Sequence, residues 1–553
     1  MKESKHFIEN IIEEDLSSGV QKKDLKFRFP PEPNGFLHIG HVKAIWINFN
    51  LAQKYSSPVV LRFDDTNPEK EEQKYIDAIK EDVKWLGYTW KEERYASDYF
   101  TQLHSWANTL IKQGLAYVDS QTSDTIADQK GTPTKAGKNS PYRNRPVEEN
   151  TDLFSKMTNG TYNEGEHVLR AKIDMASSNM LMRDPVIYRV LKKSHPRTKE
   201  KWKVYPMYDW AHGQSDYIEQ ITHSLCTLEF KPHRELYDWF LDKLAEPNKI
   251  RPKQREFARL NLSHTITSKR KLMFLVEKGV VSGWDDPRMP TISGLRRRGY
   301  PPSALREFVR LAGVAKRENI IEASLLEFCA REELNKTSNR VMVVTNPLKL
   351  TITNYPSDDD EIVLSENNPE NPNAGERELP FGKEIYIEKE DFKLEANRKY
   401  FRLTIGKEVR LKSAYIIKAN EVIFDNQNNI KEVLCTYDPK SKSGSGTEES
   451  QRKVKGTLHW VSKKASVKVK VNEYDRLFEH PSPATAQNEE ELLKMVNPES
   501  SKSCFAQAEP SLSKAKKGDK FQFQRKGYFI VDNDTPSLMV FNKTVGLRDN
   551  WKK

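Results

Sequence analysis

The sequence predicts an α/β region built on a parallel sheet, followed by a β-rich region. Three observations carry that division. LKFRF (25–29), a loop containing Gly and Pro, the helical stretch VKAIWINFNLAQKY and apolar PVVLRFDD (58–65) form a βαβ unit, which predicts parallel strands. From about residue 338 the pattern becomes alternating and strand-rich, as in RVMVVTN, KLTITNY, EIYIEKEDF, EVRLKSAYIIKANEVIFD and SVKVKVNEY. The length, 553 residues, at roughly 150 residues per domain asks for three or four domains.

The chain opens on an amphipathic helix, with Phe7, Ile8, Ile11, Ile12 and Leu16 on one face and Gly19 as its stop. After the βαβ unit, Ile76, Ile79, Val83 and Leu86 mark a second amphipathic helix. Residues 99–205 contain the polar stretch SQTSDTIADQKGTPTKAGKNSPYRNRP and read as an insertion between two halves of the sheet domain. Strand and helix signals resume at VYPMYDWAHGQSDYIEQITHSL, and a helical region follows over about 285–335. Residues 338–553 read as one or two antiparallel barrels. Val467, Val469 and Val471 interleave there with Lys468 and Lys470, giving a dry face and a basic one.

Ninety Lys+Arg against 79 Asp+Glu give a net charge of +11, which suggests a polyanion partner and no more. With 24 Phe, 21 Tyr and 10 Trp the chain is not disordered. No stretch reaches the roughly 18 apolar residues of a membrane helix, and acidic residues interrupt the apolar N-terminal segment, unlike a secretory signal. Cys226, Cys329, Cys435 and Cys504 are scattered without a CxxC pair. Neither a disulfide framework nor a protein-bound zinc is therefore expected, and the expected location is cytoplasmic.

The most informative stretch is PEPNGFLHIGH. His38 and His41 share one face at the start of a helix, with Gly40 between them. Imidazoles at a helix N-terminus suit a phosphate whose charge grows during reaction; two neighbouring surface histidines are the plainer reading. SKRKL (268–272) is either a solvated basic loop or a clamp that brings Lys269 to an anionic leaving group. Asp64, at the end of an apolar strand, lies at the edge where parallel sheets bind ligands; a turn or capping role is the alternative.

PEPNGFLHIGH followed by SKRKL resembles the paired signatures of class I aminoacyl-tRNA synthetases, His-Ile-Gly-His and Lys-Met-Ser-Lys-Ser. LRFDDTNP, WLGY, GKNSPYR, LRAKIDMAS, YPMYDW, ITHSLCTLEF, RLNL, GWDDPRMPTISGLRRRGY, GKEVRL and NKTVGLRD narrow the resemblance to bacterial-type glutaminyl-tRNA synthetases, in order over about residues 7–550. Thr267 stands where the second signature usually has Met.

The resemblance implies a Rossmann-type catalytic domain (1–98 and 206–265), an inserted acceptor-stem-binding domain (99–205), a signature loop with a helical connecting domain (266–337) and two antiparallel β-barrel anticodon-binding domains (338–553). It implies ATP with Mg²⁺ held mainly by phosphates and water, L-glutamine and tRNA(Gln) as substrates, RNA-dependent activation of the amino acid, and a monomer. His38, His41, Ser268 and Lys269 take the catalytic positions. Glu32, Pro33, Asn34, Gly40, Val42, Lys43, Ala44, Thr227, Arg259, Leu260 and Thr267 join them around ATP. Arg28, Asp64, Tyr208, His212, Cys226 and Gln254 fall on the glutamine site. The Tyr208 phenol accepts an amide N–H that glutamate lacks, and neutral Cys226 replaces the Arg of sister glutamyl enzymes. Arg340, Arg402, Arg410, Gln522 and Arg525 match anticodon positions. Pro133 and Pro232 depart from acceptor-stem residues of a well-known relative, which puts base-specific acceptor contacts in doubt. A glutamyl enzyme of the same class and a catalytically silent RNA-binding paralogue are the competing readings; a nucleotidylyltransferase fails on length.

Overall fold

The computed structural model describes residues 5–397, 399–532 and 538–548. The last residue of NKTVGLRD and the first four of the chain lie outside them. The chain divides into two units, Met1–Asn261 with Val309–Ile321, and Leu262–Phe308 with Glu322–Lys553. The region expected as a connecting domain, 266–337, is shared between them, with 309–321 in the first unit and the rest in the second. Ile266, Leu272, Leu275, Val281 and Met289 share one core with Leu477, Phe478 and Leu492, and that shared apolar surface joins most of it to the C-terminal region.

In the first unit β1 (Phe27–Phe29), β2 (Val59–Phe63) and β3 (Glu92–Tyr95) run parallel in the order β1-β2-β3. The helix Ile39–Tyr55 crosses from β1 to β2. The chain then forms an antiparallel sheet of β4 (Ala116–Asp119), β5 (Val168–Ala171), β6 (Val186–Val190) and β7 (Val204–Pro206). It returns as the parallel pair β8 (His223–Thr227) and β9 (Lys253–Phe257). The Thr222 N–H donates to the Lys26 carbonyl at 3.1 Å, which sets β8 beside β1. All residues of β1 and β2 are buried, as in parallel sheets covered on both faces, yet each strand carries one arginine, Arg28 and Arg62. The antiparallel sheet has its own core, including Val118, Phe154, Leu169, Tyr188 and Phe240.

The second unit holds two seven-stranded sheets among its described residues. One starts on Asn339–Val341 and ends on Val343–Val344; the other starts on Thr457–Leu458 and ends on Val461–Ser462. In both, one short extended segment pairs with the first edge before a break and with the last edge after it, so each sheet curls into a barrel and leaves no long edge. The pairing is not purely antiparallel. Lys349–Ile352 runs parallel to Glu432–Cys435, and Lys470–Asn472 to Val540–Asn542. Alternation reports which face of a strand is buried and is blind to the direction of a distant neighbour.

Trp460 lies in the closing segment of the second barrel. It is 2% exposed, packs edge-to-face on Phe381 at 5.1 Å and donates its indole N–H to the Lys412 carbonyl at 2.9 Å. Trp460→Ala is expected to lose about 3–5 kcal/mol of this unit's stability, read as an earlier transition in chemical denaturation while the first unit's transition stays in place.

Candidate active site

His38 is the N-cap of the helix Ile39–Tyr55. Its Nδ1 accepts from the Gly40 N–H at 3.1 Å, and the Nδ1 of His41 accepts from the His38 N–H at 3.1 Å. Each imidazole therefore spends Nδ1 on the backbone and carries its proton on Nε2. Burial, helped by His41, holds His38 well below the usual histidine range, and burial lowers His41 to about 4. Near neutral pH the pair offers two uncharged N–H donors at a helix N-terminus, with ring centroids 4.0 Å apart. A Cβ on Gly40 would fall 2.9 Å from the His38 ring, so this glycine first makes room for the histidine. In the same helix Val42 is 1% exposed and sits in the core, while Lys43 is buried and lowered by burial to about 8.

Behind the sheet edge lies a buried charge network that no local motif announces. The Asp216 Oδ1 accepts from Arg28 Nε at 3.1 Å and from Arg62 Nη2 at 2.7 Å. Ser224 and the Tyr237 hydroxyl donate to its Oδ2 at 2.6 and 3.0 Å. Arg62 also donates to Glu219 at 2.8 Å. Burial alone would raise Asp216; Arg28 and Arg62 override it and hold the carboxyl far below its ordinary range. Arg28 completes its fork on the Leu225 carbonyl, Ser224 and His212 Nε2. Burial keeps His212 neutral, at about 3, and the Tyr208 ring stacks on it at 5.0 Å and 22°.

Around this network lie the remaining glutamine-site candidates. Cys226 is pushed by burial to about 12 and stays a neutral thiol. Gln254 has its Nε2 committed to the Phe230 carbonyl at 2.8 Å and to Glu256 at 2.9 Å, which leaves only its oxygen for a ligand. Arg28 belongs to the Asp216 network and holds the wall of the site.

Asp64 and Asp65, adjacent at the end of β2, have opposite surroundings. Asp65 accepts from the Ser97 N–H and hydroxyl at 2.8 and 2.6 Å. Asp64 is 4% exposed, and its two oxygens are buried with no well-formed hydrogen bond; the Thr66 side chain, close enough to steady the ionised form, is the one donor that acts on it among the described residues. Burial first, with Glu32 adding, lifts it to about 7 against the pull of Arg62. A buried, unpaired carboxylate is costly until a cationic group meets it.

Asp65, Glu71 and His195 bring three ligand-type atoms within 4.8 Å of one another. Their donor pattern does not suit a metal ion. His195 Nδ1 accepts from the Arg197 and Thr198 N–H groups, both at 3.1 Å, so Nε2 holds the proton and gives it to the Asp65 carbonyl at 2.8 Å. Glu71, raised by burial and then Asp65 to about 9, is a neutral acid near pH 7.

Thr227 and Arg259 meet through a residue that sequence reasoning missed: Glu229 accepts from both, at 2.7 and 3.2 Å. Leu260 beside them is buried. Asn34 donates to Glu32 at 2.5 Å, and the Pro31 carbonyl accepts from the Asp64 N–H at 3.0 Å, running the PEPN loop alongside Asp64. In the second unit Thr267 precedes Ser268, the N-cap of the helix Lys269–Glu277. Pro133 is exposed in a loop whose carbonyls at 130, 132 and 135 all accept from buried Arg183, and Pro232 is also exposed.

The five anticodon candidates fall in three groups within the second unit. Arg340 and Gln522 are direct cross-strand partners; Arg340 is held by Asn335 and Asn368, and the Gln522 side-chain oxygen is buried without a partner. Arg402 and Arg525 share Asp391, a fully buried carboxylate absent from the sequence reading, at 2.9 and 2.5 Å. Arg410 is tied to the 439–453 loop, donating to the carbonyls of Ser441 at 3.2 Å and Ser450 at 2.8 Å.

Neutral N–H donors at a helix terminus and an unpaired carboxylate at the edge of a parallel sheet define an enzyme of the nucleotide-binding α/β class. Comparison with known proteins is specific. The profile of the catalytic domain of the "tRNA synthetases class I (E and Q)" matches residues 24–336, and the two anti-codon binding domain profiles of that family match 338–438 and 457–532. The glutamine–tRNA ligases of Salmonella choleraesuis (strain SC-B67) and Salmonella newport (strain SL254) are each 52% identical over 551 residues, covering 99% of this chain and 98% of the relative. A crystal structure of a glutamate tRNA ligase from Elizabethkingia meningosepticum CCUG26117 aligns with 57% of this chain and 71% of its own at 19% identity and a TM-score of 0.44. The chain belongs to the class I tRNA synthetases of the E and Q group.

An ammonium group lodged against Asp64 needs the ionised carboxylate. Because the Asp64 carboxyl titrates at about 7, KM for the amino acid is expected to rise as pH falls through 7, by up to about tenfold per unit well below it, and to level off above. Asp64→Asn should raise KM and flatten that profile in steady-state assays between pH 6 and 8.

Proposed function

We propose that this chain is a glutamine–tRNA ligase, which activates L-glutamine with ATP and transfers it to the 2′-hydroxyl of the 3′-terminal adenosine of tRNA(Gln). The observation that carries the choice of glutamine is the full-length match to glutamine–tRNA ligases at 52% identity. A neutral pocket agrees with it: Tyr208 and thiol Cys226 stand near Arg28, whose charge is already spent on Asp216. A γ-carboxylate would find no unspent cation there, whereas an amide N–H finds the phenol oxygen.

Asp64 takes the α-ammonium and holds the substrate carboxylate at the sheet edge. The carboxylate oxygen attacks the α-phosphorus of ATP, the bond to the β-phosphate oxygen breaks and pyrophosphate leaves. The Nε2–H groups of His38 and His41 donate to phosphate oxygens as charge builds, with no proton lost by either ring. Ser268 and Lys269 serve the leaving phosphates, and Thr227, Arg259 and Leu260 the adenosine. Mg²⁺ carried on the triphosphate supplies charge neutralisation when bound; its ligands are phosphate and water. The terminal ribose hydroxyl then attacks the acyl carbon and AMP departs. The protein contributes alignment and fixed dipoles, and forms no covalent bond to substrate.

Charging of matched glutamine and glutamate transfer RNAs with each labelled amino acid tests the proposal. Glutamine is expected on its own transfer RNA only; transfer of glutamate replaces the reading with a glutamyl enzyme, and RNA binding without charging replaces it with a silent paralogue. Glutamine-dependent pyrophosphate exchange is expected near background without RNA, and His38→Ala is expected to cut the rate of charging by about 10²–10³ with little change in KM for glutamine.

A further inference from the structure

Among the exposed large apolar side chains of the second unit, Phe401 stands out by its surroundings. It is 51% exposed between two residues that are both anchored inward. The Tyr400 hydroxyl donates to the Glu390 carbonyl at 3.0 Å; Arg402 donates to the same carbonyl at 3.3 Å and pairs with buried Asp391 at 2.9 Å. With both neighbours anchored inward, the ring between them is the one left facing solvent. The backbone beneath is equally constrained. A Cβ on Gly456 would run into the Phe401 carbonyl oxygen, and the Gly456 carbonyl accepts from the Arg410 N–H at 2.8 Å. Lys455, the residue before that glycine, places its ammonium 5.5 Å from the Phe401 ring centroid. An exposed ring with an ammonium close to it supplies the parts of a nucleotide seat: an aromatic face for a base and a cation for its phosphate.

We propose that Phe401 is a stacking platform for one splayed base of the transfer RNA anticodon loop, with Lys455 taking the adjoining phosphate. Polar side chains read base edges; this ring holds the base flat while they do so. An isolated apolar ring on a solvated barrel rim would need neither the pinned flanks nor the closely packed glycine. The inference rests on the tRNA-ligase reading, and the two fail differently.

The experiment uses the full chain and tRNA(Gln) transcripts with 2-aminopurine in each anticodon position in turn. Wild-type protein is expected to quench one position on binding. Phe401→Leu should abolish that quenching and raise KM for tRNA about tenfold, with KM for glutamine and thermal stability unchanged; Phe401→Trp should restore both. Lys455→Met should weaken RNA binding and lower its salt-dependence slope by about 1. If Phe401→Leu quenches and charges like wild type, or no position is quenched by wild type, the platform is wrong. If wild type charges no transfer RNA with glutamine, the proposed function is what fails.

Discussion

The catalytic unit depends on how two arginines are kept in the middle of a parallel sheet. Arg28 and Arg62 are both buried, in strands otherwise made of Phe, Val and Leu. An uncompensated buried ion costs several kcal/mol, more than the packing of one strand residue returns. Asp216 accepts from both guanidiniums, and Glu219 takes a second contact from Arg62. The helix Tyr208–Ile218 therefore has little choice of position, because its carboxylate has to lie between the two strands. Once it does, His212, one turn earlier, faces both guanidiniums and stays neutral, and Tyr208, one turn earlier again, stacks on His212. The positions of Tyr208 and His212 are thus set by the buried charges behind them. The pairing of Arg28 and Arg62 with Asp216 and Glu219 also leaves these two arginines with little charge free to draw in an acid.

The same strand shows why neighbouring residues of one type diverge. Successive side chains on an extended segment point to opposite sides. One side gives Asp65 the Ser97 donors and the His195 layer of the antiparallel sheet; the other leaves Asp64 buried with no well-formed hydrogen bond, and only the Thr66 side chain close enough to ease its burial. Its free energy is recovered only when a ligand supplies the missing positive charge. The histidine helix is built on the opposite principle. There the backbone satisfies one side of each ring beforehand, so the remaining N–H groups are oriented before any phosphate arrives. A site that activates a carboxylate with a triphosphate needs both devices: a place that wants a cation, and dipoles that tolerate growing negative charge.

Local chemistry was legible in the sequence. The βαβ unit, the histidine pair at its helix start, the acidic end of β2 and the change to alternating strands all arise from residues close together in the chain. Partners distant in the chain were not. Arg28 and Arg62 meet Asp216 across 188 and 154 positions, and nothing in HGQSDYIEQ distinguishes a keystone aspartate from a solvated one. The charged residue inside VVLRF was itself a usable sign that a buried counter-ion had to exist. Asp391 stayed hidden for the same reason, being 134 positions from Arg525, as did the link from Glu229 to Arg259 across 30 positions; the parallel pairings of the barrels were hidden because hydrophobic alternation carries no strand direction. The connecting helices joined the barrel unit because their apolar faces found a partner surface in residues 477–492, which their own periodicity does not name.

Net charge and selectivity separate on this view. Of the 90 basic residues, most can attract a polyanion equally well, and such attraction is long-ranged, screened by salt and indifferent to sequence. Reading a base requires the opposite: a cation that does not move. Arg340 is held by two asparagines, Arg402 and Arg525 by one buried aspartate, and Arg410 by backbone carbonyls. Each tether uses part of the guanidinium fork and so reduces its freedom before RNA binds, which lowers the entropy lost on recognition. Only Arg402 and Arg525 have a carboxylate beside them, and they share one; Arg340 and Arg410 are held by neutral groups, so all four lose mobility while most of their charge is kept. The net charge of +11 acts at a distance and is indifferent to sequence, whereas a side chain fixed in advance has less freedom to lose when a ligand meets it.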